Sequence, residues 1–287
     1  MKIVIFGVGL IGGSFALALK QAKVATKIVG VGRTRASLDK AMTLGAIDAI
    51  GDADADTLHD ADLVLLAMPV GQMGDVMARI APHLGAHTIV TDAGSTKQDV
   101  VALAYKHLSR QIAHFVPAHP IAGGEVSGVS AARADLYRHK KVVLTPLKEN
   151  SVVAIKKIRD VWEACGAEVR DMPAAQHDAV FAAVSHLPHL LAYALVHDIA
   201  NRPDAEVMFD FAAGGFRDFT RIAGSHPEMW RDISLANRDA LLKEIDSYMS
   251  EVSALRKLVE QRDAAGLEKL FDFARDARAA WLARLKA

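Results

Sequence analysis

Short apolar runs alternate with helical patterns over the first 172 residues of the chain. The runs at residues 3–6 and 63–66 are apolar throughout, which is typical of strands buried on both faces of a parallel sheet. Strands that alternate with helices predict a doubly wound, mostly parallel Rossmann-type α/β sheet with helices on both faces. The predicted strands span residues 2–6, 27–31, 63–68, 88–91, 114–117, 142–145 and 168–171.

The pattern changes near residue 172. Beyond Pro173 the β-branched runs stop, and good helix formers at helical spacing continue to Ala287. A length of 287 residues also favours two domains rather than one. We therefore predict a Rossmann-type dinucleotide-binding domain over residues 1–172 and an all-helical substrate and dimerisation domain over residues 173–287.

One segment of the helical domain repeats apolar residues in alternating steps of four and three. This stripe is typical both of a helix that faces the core of its own subunit and of a helix that packs on its copy in a homodimer. The stripe alone does not separate the two interpretations. Its members are Leu241, Ile245, Tyr248, Val252, Leu255 and Val259.

The net charge and the cysteine content indicate which kinds of partner and which location to expect. Lys plus Arg and Asp plus Glu each total 34, so the net charge is zero and nothing attracts nucleic acid in general. The single cysteine, Cys165, cannot form an internal disulfide, which favours a cytoplasmic location. Glycines interrupt the apolar N-terminal run, so we predict neither a signal peptide nor a membrane segment. A small molecule is the expected partner.

A glycine-rich turn directly follows the first predicted strand and opens a helix to about Gln21. In such a turn Gly7 permits the tight bend, Gly9 lets the backbone approach a pyrophosphate, and Gly12 allows close helix packing. The free N–H groups of the helix N-terminus then bind the phosphates, so the turn predicts dinucleotide binding. The predicted cofactor contacts are Gly7, Gly9, Leu10, Ile11 and Gly12, together with Met68 and Pro69 after the third predicted strand.

The end of the second predicted strand bears on the choice between NAD and NADP. The position of the usual acidic residue is Gly32, so no carboxylate there repels a 2′-phosphate. Arg33, Thr34 and Arg35 follow and can bind a phosphate, which favours NADP over NAD. The alternative is that the arginines are solvated at a helix start and that the site accepts either cofactor.

Polar residues also follow the later strands, at the edge where open α/β sheets bind ligands. Ser95 is expected to face this crevice or to cap the next helix, and for Thr96 we favour a capping role with Asp99 three residues on. His119 ends a short strand before a glycine-rich loop. A neutral imidazole at this edge is suited to take a proton from a substrate hydroxyl, although a lone histidine is often structural.

The helical domain adds a second group of candidates. His186 and His189 are three residues apart, but Pro188 lies between them and no cysteine is near, so we predict no metal site. Arg221 lies in an apolar setting and needs an anion, either Asp218 or a substrate carboxylate. Trp230 either walls a pocket or fills the core.

Five segments, in this order along almost the whole chain, resemble the prephenate/arogenate dehydrogenases of tyrosine biosynthesis. The first is the glycine-rich turn, which many oxidoreductases share, whereas the His-Pro-Ile-Ala-Gly and Ser-His-Leu-Pro-His segments are specific. The five segments are residues 7–14, 92–97, 119–128, 184–189 and 219–223.

The resemblance implies a nicotinamide domain followed by a helical dimerisation domain, with a cyclohexadienyl acid held between them. It implies that His119 draws the proton from the ring hydroxyl while hydride leaves the same carbon for NADP or NAD, after which loss of CO2 gives an aromatic ring. Ser95 would then orient His119 or the hydroxyl, and Arg221 would clamp a substrate carboxylate. Ser185 and His189 would line the same cleft.

Two positions depart from the family pattern. Members often carry Thr or Ser where this chain has Gly124, so a hydroxyl near the substrate is absent and the side chain of the substrate is recognised differently. Gly32 replaces the acid of NAD-using members, which agrees with the NADP interpretation. Prephenate and arogenate differ in a keto versus an amino group, and the sequence does not separate them.

Two other functions share this architecture. A β-hydroxyacid or imine reductase would have the same sheet and helical domain, but the hydroxyacid class relies on a lysine, and residues 173–239 contain none. A catalytically silent NADP-sensing protein would have no reason to combine His119, Ser95 and Arg221. The residues therefore favour the dehydrogenase.

Overall fold

The computed structural model describes residues 1–124 and 126–286. Its first sheet has six parallel strands in the order β3-β2-β1-β4-β5-β6, which is the doubly wound order of dinucleotide-binding folds. The predicted fold class is therefore confirmed. The strands are β1 (Lys2–Phe6), β2 (Lys27–Val31), β3 (Ala49–Ile50), β4 (Leu63–Leu66), β5 (Ile89–Asp92) and β6 (Phe115–Val116).

A second sheet of three strands continues the chain: β7 (Ala118–Pro120), β8 (Lys141–Leu144) and β9 (Glu168–Asp171). β7 pairs antiparallel with β8, so that His119 lies opposite Val143, and β8 pairs parallel with β9. Pro117 separates β6 from β7, and because proline has no N–H to give to a ladder it marks the change of sheet. His119 thus lies in the middle of a separate short strand rather than at the end of one.

Helices cover both faces of the first sheet. Alternate residues of β1 point to opposite faces, so Ile3 and Ile5 join one apolar cluster while Val4 and Phe6 join the other. Burial of these clusters holds the carboxyl ends of the strands in fixed positions. The covering helices are α1 (Leu10–Gln21), α2 (Arg35–Thr43), α3 (Ala55–Leu58), α4 (Met73–Ile80), α5 (Gln98–His107) and α6 (Val152–Ala164).

Cys165 follows directly after α6 and is 3% exposed. Burial raises the pKa of its thiol, so the cysteine is an inert packing residue.

Beyond Pro173 every regular element among the described residues is helical, as predicted. α7 runs without a break through a π-helical turn, Ala182–His186, into α8. The helices are α7 (Ala174–Phe181), α8 (Leu187–Ala200), α9 (Ala205–Asp210), α10 (Gly214–Thr220), α11 (Pro227–Ala236), α12 (Arg238–Glu260) and α13 (Ala264–Lys286).

The chain divides into two compact units, Met1–Arg238 and Asp239–Ala287. The first unit contains both sheets and α1 to α11, because α7 packs on α5 and α11 packs on the turn after β4. The second contains α13 and nearly all of α12. The division at residues 172 and 173 rests on the change from mixed to helical structure and stays a prediction.

The continuous helical run Ala174–Ala200 is long and apolar enough to cross a membrane by length and composition alone. Its first half nevertheless carries His177, Asp178 and His186, which are each at most 1% exposed. These polar groups bind other elements of the same unit, as buried polar groups of a folded domain do.

Candidate active site

The glycine-rich turn has the geometry that its sequence predicts. Gly7 has a φ of +91°, and a Cβ there would lie 2.5 Å from the carbonyl oxygen of Ala67. A Cβ on Gly12 would lie 2.2 Å from the carbonyl oxygen of Gly7, so α1 packs directly on the turn. A Cβ on Gly9, by contrast, would meet no described atom within 4 Å. The turn therefore leaves an open surface at Gly9 alone.

The N-terminus of α1 opens on this surface. Gly9 is its N-cap, and no side chain among residues 1–124 and 126–286 caps it, so the first N–H groups, including those of Leu10 and Ile11, are available to an anion. Met68 borders the turn, since its backbone nitrogen would lie 3.0 Å from a Cβ on Gly7, and Pro69 is the next residue. The residues present fit the pyrophosphate of a dinucleotide.

The basic segment after β2 already has partners. Arg33 pairs with Glu228 of α11 through two contacts of 3.3 and 3.4 Å, and Gln72 donates to the same carboxylate at 3.2 Å. Arg35 pairs with Asp39 at 2.9 Å one turn along α2. Both arginine side chains are more than two-thirds exposed, and exposed pairs of this kind exchange readily for another anion.

Thr34 and Gly32 complete this segment. The Thr34 hydroxyl donates to that of Ser37 at 2.7 Å. A Cβ at Gly32 would lie 3.3 Å from the Leu38 side chain, so the backbone lies close against α2.

A chain of hydrogen bonds joins His119 to α7. Nδ1 of His119 lies 2.8 Å from Nε2 of His177, and Nδ1 of His177 lies 2.8 Å from Oδ1 of Asp178. The Asp178 carboxylate accepts hydrogen bonds of 2.8 Å from the backbone N–H groups of Lys97 and Gln98. The contact of α7 with α5 thus places three ionisable side chains in one line.

Asp178 also corrects the capping prediction for Thr96. α5 begins at Gln98, its N-cap is Lys97, and no side chain from its own segment caps it. The N–H groups of Lys97 and Gln98, at the start of the helix, bind the Asp178 carboxylate. A carboxylate from another helix satisfies both donors at once and is favoured at the positive end of the helix dipole.

The His119 ring is half-buried on β7 and contacts Phe181 edge to face at 4.9 Å. Burial lowers the pKa of His119 well below its ordinary value, and electrostatic interactions with His177, Lys97 and His186 lower it further. The imidazole is therefore neutral near pH 7 and able to accept a proton.

A second line of hydrogen bonds reaches Ser95. Asn237, which is 3% exposed, spans the backbone oxygen of Asp178 at 2.8 Å and Nδ1 of His186 at 3.1 Å. Burial lowers the pKa of His186 to about 4, while a hydrogen bond to the Ser95 backbone acts in the opposite direction. Ser95 is thus tied to the histidine group through its main chain.

His189 and Trp230 form a stacked pair, with ring centroids 3.7 Å apart and planes at 21°. Nδ1 of His189 donates to the backbone oxygen of Ser185 at 2.8 Å, which leaves Nε2 as the acceptor of the neutral ring. Burial lowers the pKa of His189, and the charge of Arg221 lowers it further. Arg221 itself is exposed and begins a short 3₁₀ turn.

Two further predicted positions have definite surroundings. Asp218, one of the two anions considered for Arg221, lies 3.8 Å from Arg217. Gly124 lies exposed on the loop after β7, and a Cβ there would be 3.3 Å from the Leu10 side chain. Gly124 therefore borders the cofactor turn.

A buried ion pair between Lys97 and Asp92 lies next to the site. Lys97 and Asp92 are both fully buried and bonded to each other. Asp92 also accepts from the backbone N–H groups of Gly94 at 2.8 Å and Ala118 at 3.1 Å, which fixes the residue next to His119. Breaking such a pair leaves an uncompensated buried charge, so its role is structural.

The sequence did not indicate His177, Asp178, Asn237 or Glu228 as members of the site. His177 and Asp178 are adjacent polar residues in an otherwise apolar helical segment, and this was the only signal that could have drawn attention to them. The partners of all four residues come from elements distant in the sequence.

An open glycine turn at the switch point of a parallel sheet, with a neutral histidine at the carboxyl edge, defines a nicotinamide-dependent dehydrogenase. Two family models match the chain: the nucleotide-binding domain of prephenate dehydrogenase over residues 15–171, and its dimerization domain over residues 173–273. The chain belongs to the prephenate dehydrogenase family, which confirms the resemblance found in the sequence.

Individual relatives agree with the family models. The chain is 38% identical to the prephenate dehydrogenase of Bacillus subtilis over 96% of its length and 75% of the relative's. It is 37% identical to the cyclohexadienyl dehydrogenase of Zymomonas mobilis over 97% and 95% of the two chains. The crystal structure of Aquifex aeolicus prephenate dehydrogenase with hydroxyphenyl propionate and NAD+ is 36% identical over 97% of both chains, with a TM-score of 0.91.

Proposed function

We propose that this enzyme catalyses the oxidative decarboxylation of a cyclohexadienyl acid, prephenate, L-arogenate or both. The observation that carries the proposal is His119, a neutral imidazole held at Nδ1 in a chain of the prephenate dehydrogenase family. The Bacillus relative is named for prephenate and the Zymomonas relative for cyclohexadienyl compounds, and a Synechocystis structure that is 29% identical, with a TM-score of 0.81, is an arogenate dehydrogenase.

In the proposed reaction His119 accepts the proton of the ring hydroxyl while the carbon that bears the hydroxyl loses hydride. The nicotinamide, when bound at the glycine turn, supplies the hydride acceptor. The ring carboxylate then leaves as CO2, its bonding electrons complete the aromatic ring, and the proton held by His119 returns to the ring oxygen. The products are 4-hydroxyphenylpyruvate from prephenate or tyrosine from arogenate, with CO2 and reduced cofactor.

The remaining predicted residues hold the substrate in this proposal. Arg221 binds a substrate carboxylate, and its charge already acts on the neighbouring His189. Ser185 fixes the His189 ring, and Trp230 supports it from one face. Ser95 orients the ring hydroxyl, because Nδ1 of His119 is occupied by His177.

Gly124 lies beside the cofactor turn, where a Cβ would be 3.3 Å from the Leu10 side chain, and it brings no hydroxyl to the site. A chain without a hydroxyl at this position has one fewer group with which to distinguish a keto from an amino substituent. We therefore expect both cyclohexadienyl acids to be accepted.

We propose NADP as the preferred cofactor and NAD as the alternative. Gly32 leaves no acid to repel a 2′-phosphate, and Arg33, Thr34 and Arg35 supply donors at the end of β2. The exposed pairs of Arg33 with Glu228 and Arg35 with Asp39 would give way to a phosphate, which offers stronger charge-assisted hydrogen bonds than a screened surface carboxylate.

We further propose a homodimer formed through the helical domain, since residues 173–273 match a dimerization domain. A cytoplasmic location stays a prediction.

The first test measures the initial rate of reduced-cofactor formation with prephenate and L-arogenate, each with NAD and with NADP. Turnover of either acid supports the proposal and ranks substrate and cofactor together. No detectable turnover in any of the four assays, with folded protein and confirmed cofactor binding, would contradict the proposal. That result would favour a reductase or a cofactor-sensing protein.

The same assay tests the role of His119 through pH. The base works only when neutral, so kcat/KM should fall on the acid side with an apparent pKa below 6.5, because burial lowers the pKa of His119. His119→Asn should lose about 100-fold or more in kcat and should also lose this acid limb. An intact rate with an unchanged acid limb would remove His119 from the proposed role.

A further inference from the structure

We propose that His177 and Asp178 are positioning residues that fix the tautomer of His119, so that Nδ1 carries the hydrogen and Nε2 is the proton acceptor. This inference deepens the proposed function and, as far as turnover is concerned, rests on it. The contacts of Asp178 with the α5 amides, of His177 with Asp178 and of His119 with His177 follow one another, and each determines which atom donates in the next.

The first step concerns Asp178, which is 1% exposed. Burial alone would raise its pKa, but hydrogen bonds from His177 and from the N–H groups of Gln98 and Lys97 hold the pKa below the ordinary value. The carboxylate is therefore ionised at neutral pH and can only accept hydrogen bonds. The two amides of α5 also fix its orientation.

The second step concerns His177, whose side chain is fully buried. Because Asp178 only accepts, Nδ1 of His177 must donate across the 2.8 Å contact. Burial lowers the pKa of His177 and keeps the ring neutral near pH 7, although Asp178 acts in the opposite direction. A neutral ring that donates from Nδ1 accepts at Nε2.

The third step reaches the base. Nε2 of His177 accepts, so Nδ1 of His119 must donate across the 2.8 Å contact between them. The lone pair of the neutral His119 ring is then on Nε2, the nitrogen that His177 does not occupy. Without this line of contacts an imidazole populates both tautomers, and only one of them presents a base on that side.

The same contacts act after proton transfer. Protonation at Nε2 makes His119 an imidazolium, and its bond to His177 becomes charge-assisted. The Asp178 carboxylate at the far end of the line favours that positive charge, while Lys97 and His186 oppose it. Asp92 is bonded to Lys97 and offsets part of its charge.

Asp178→Asn gives the sharpest test. Lys97 donates to Oδ1 of Asp178 and Gln98 donates to Oδ2, so an asparagine keeps only one of these two N–H donors. When its Oδ1 accepts from Gln98, its NH2 group faces His177, which must then accept at Nδ1 and donate from Nε2. His119 would in turn accept at Nδ1 and carry its hydrogen on Nε2, where it cannot act as a base. The two histidines should therefore exchange tautomers in the folded variant.

Long-range 1H–15N NMR of the histidine rings in the cofactor-free protein measures this directly. In the unmodified protein we expect the His119 signals of a protonated Nδ1 and an unprotonated Nε2, and in Asp178→Asn the reverse. A protonated Nε2 on neutral His119 in the unmodified protein overturns the proposal. This result does not depend on turnover, so it is separate from a failure of the proposed reaction.

His177 variants test the pair without removing the cap of α5. His177→Met removes the acceptor at similar volume, and we expect kcat to fall about 100-fold, with little change in the KM of the substrate or in the Kd of the cofactor. The acid limb should also move to lower pH, because imidazolium loses its acceptor. His177→Gln can place an amide oxygen near the position of Nε2 and should recover at least a tenfold part of the loss.

These kinetic outcomes distinguish positioning from a structural role. Equal losses in both His177 variants, with lower melting temperatures and an unmoved acid limb, would mean that His177 only fills space, and the proposal would be wrong. Asp178→Asn should lower kcat about 1,000-fold or more, by analogy with the wrong-tautomer variant of serine proteases. If that variant does not fold, the NMR of the unmodified protein and of His177→Met still decides.

Discussion

At the scale of single residues, the glycines of the turn are of two kinds. The protein leaves no space for a side chain at Gly7 and Gly12, but it does at Gly9. At Gly7 and Gly12 a Cβ would collide with backbone oxygen, so these glycines are required by the fold. At Gly9 a Cβ would meet none of the described atoms within 4 Å. The requirement for glycine at that position comes from what binds there.

This difference predicts opposite behaviour for two alanine variants. Gly9→Ala should change the free energy of unfolding by less than about 1 kcal/mol, because it costs only a cap preference. Its Kd for the dinucleotide should nevertheless rise at least tenfold. Gly12→Ala should destabilise the protein by about 3 kcal/mol through overpacking against Gly7.

Denaturant unfolding and a fluorescence titration with reduced cofactor measure the two quantities, and each variant is the control for the other. Normal cofactor affinity in a folded Gly9→Ala protein would contradict the assignment of the binding surface.

Residue-level predictions from the sequence succeeded where a local motif determines the geometry. The turn at Gly7 and the close packing at Gly12 follow from strand, turn and helix in succession, and both were predicted. The cap of α5 was predicted wrongly at Thr96, because the actual partner, Asp178, is about 80 residues away in the sequence. Spacing along the chain carries no information about such a partner.

At the scale of elements, α11 connects the two halves of the proposed site. Glu228 in its first turn binds Arg33, which lies just after β2, and Trp230 stacks on His189. The helix also packs on the turn that follows β4. A substitution at Glu228, in the first turn of α11, can therefore change cofactor choice separately from substrate binding.

Glu228→Gln should raise the ratio of kcat/KM for NADP to that for NAD by about 2- to 5-fold, which corresponds to the worth of one exposed ion pair. The carboxylate competes with a 2′-phosphate for Arg33, and the amide does not. Asp160→Asn, which removes an exposed carboxylate paired with Lys156 on α6, is the matched control. A lower ratio in Glu228→Gln would mean that Glu228 helps to hold the phosphate site together.

Most elements could be predicted from hydrophobic pattern, and the exceptions have physical reasons. Three strands, β1, β2 and β9, match their predicted bounds, and the others differ by one or two residues at their ends. β3 and β7 were missed because two and three residues are too short to show a period. The π-helical turn was missed because its residues are ordinary helix formers.

At the scale of the whole molecule, half of the apolar stripe on α12 is exposed to solvent within one chain, whereas Leu241 is buried. Tyr248, Val252 and Val259 are 41%, 46% and 61% exposed. Of the two interpretations that the sequence left open, this exposure favours a helix that packs on its copy. The match of residues 173–273 to a dimerization domain agrees with that interpretation.

Sedimentation equilibrium should therefore give a mass about twice the 30.8 kDa of the chain. Val252→Asp should shift the protein toward monomer, because it places a charge in an apolar interface. Val153→Asp, at an exposed valine of α6, should leave the mass unchanged. A monomer in the unmodified protein at micromolar concentration would contradict the proposed assembly.

The π-helical turn between α7 and α8 determines the directions in which the side chains of the two helices point. In an uninterrupted α-helix, two residues eight positions apart point about 80° away from each other, whereas seven positions return to nearly the same direction. The wide turn at Ala182–His186 absorbs one extra residue. Asp178 and His186 therefore start from the same side of the helix, and the Asn237 amide binds the backbone oxygen of Asp178 and Nδ1 of His186.

The helix thus contains one residue more than a regular α-helix of the same length. That residue rotates the side chains that follow the turn relative to those that precede it. Deleting it would leave a longer regular helix and would rotate everything from Leu187 to Ala200 by about 100°. His189 would then turn away from Trp230 while the hydrophobic contacts rearranged around a sound helix. The chain keeps an imperfect turn because the directions of its side chains depend on it.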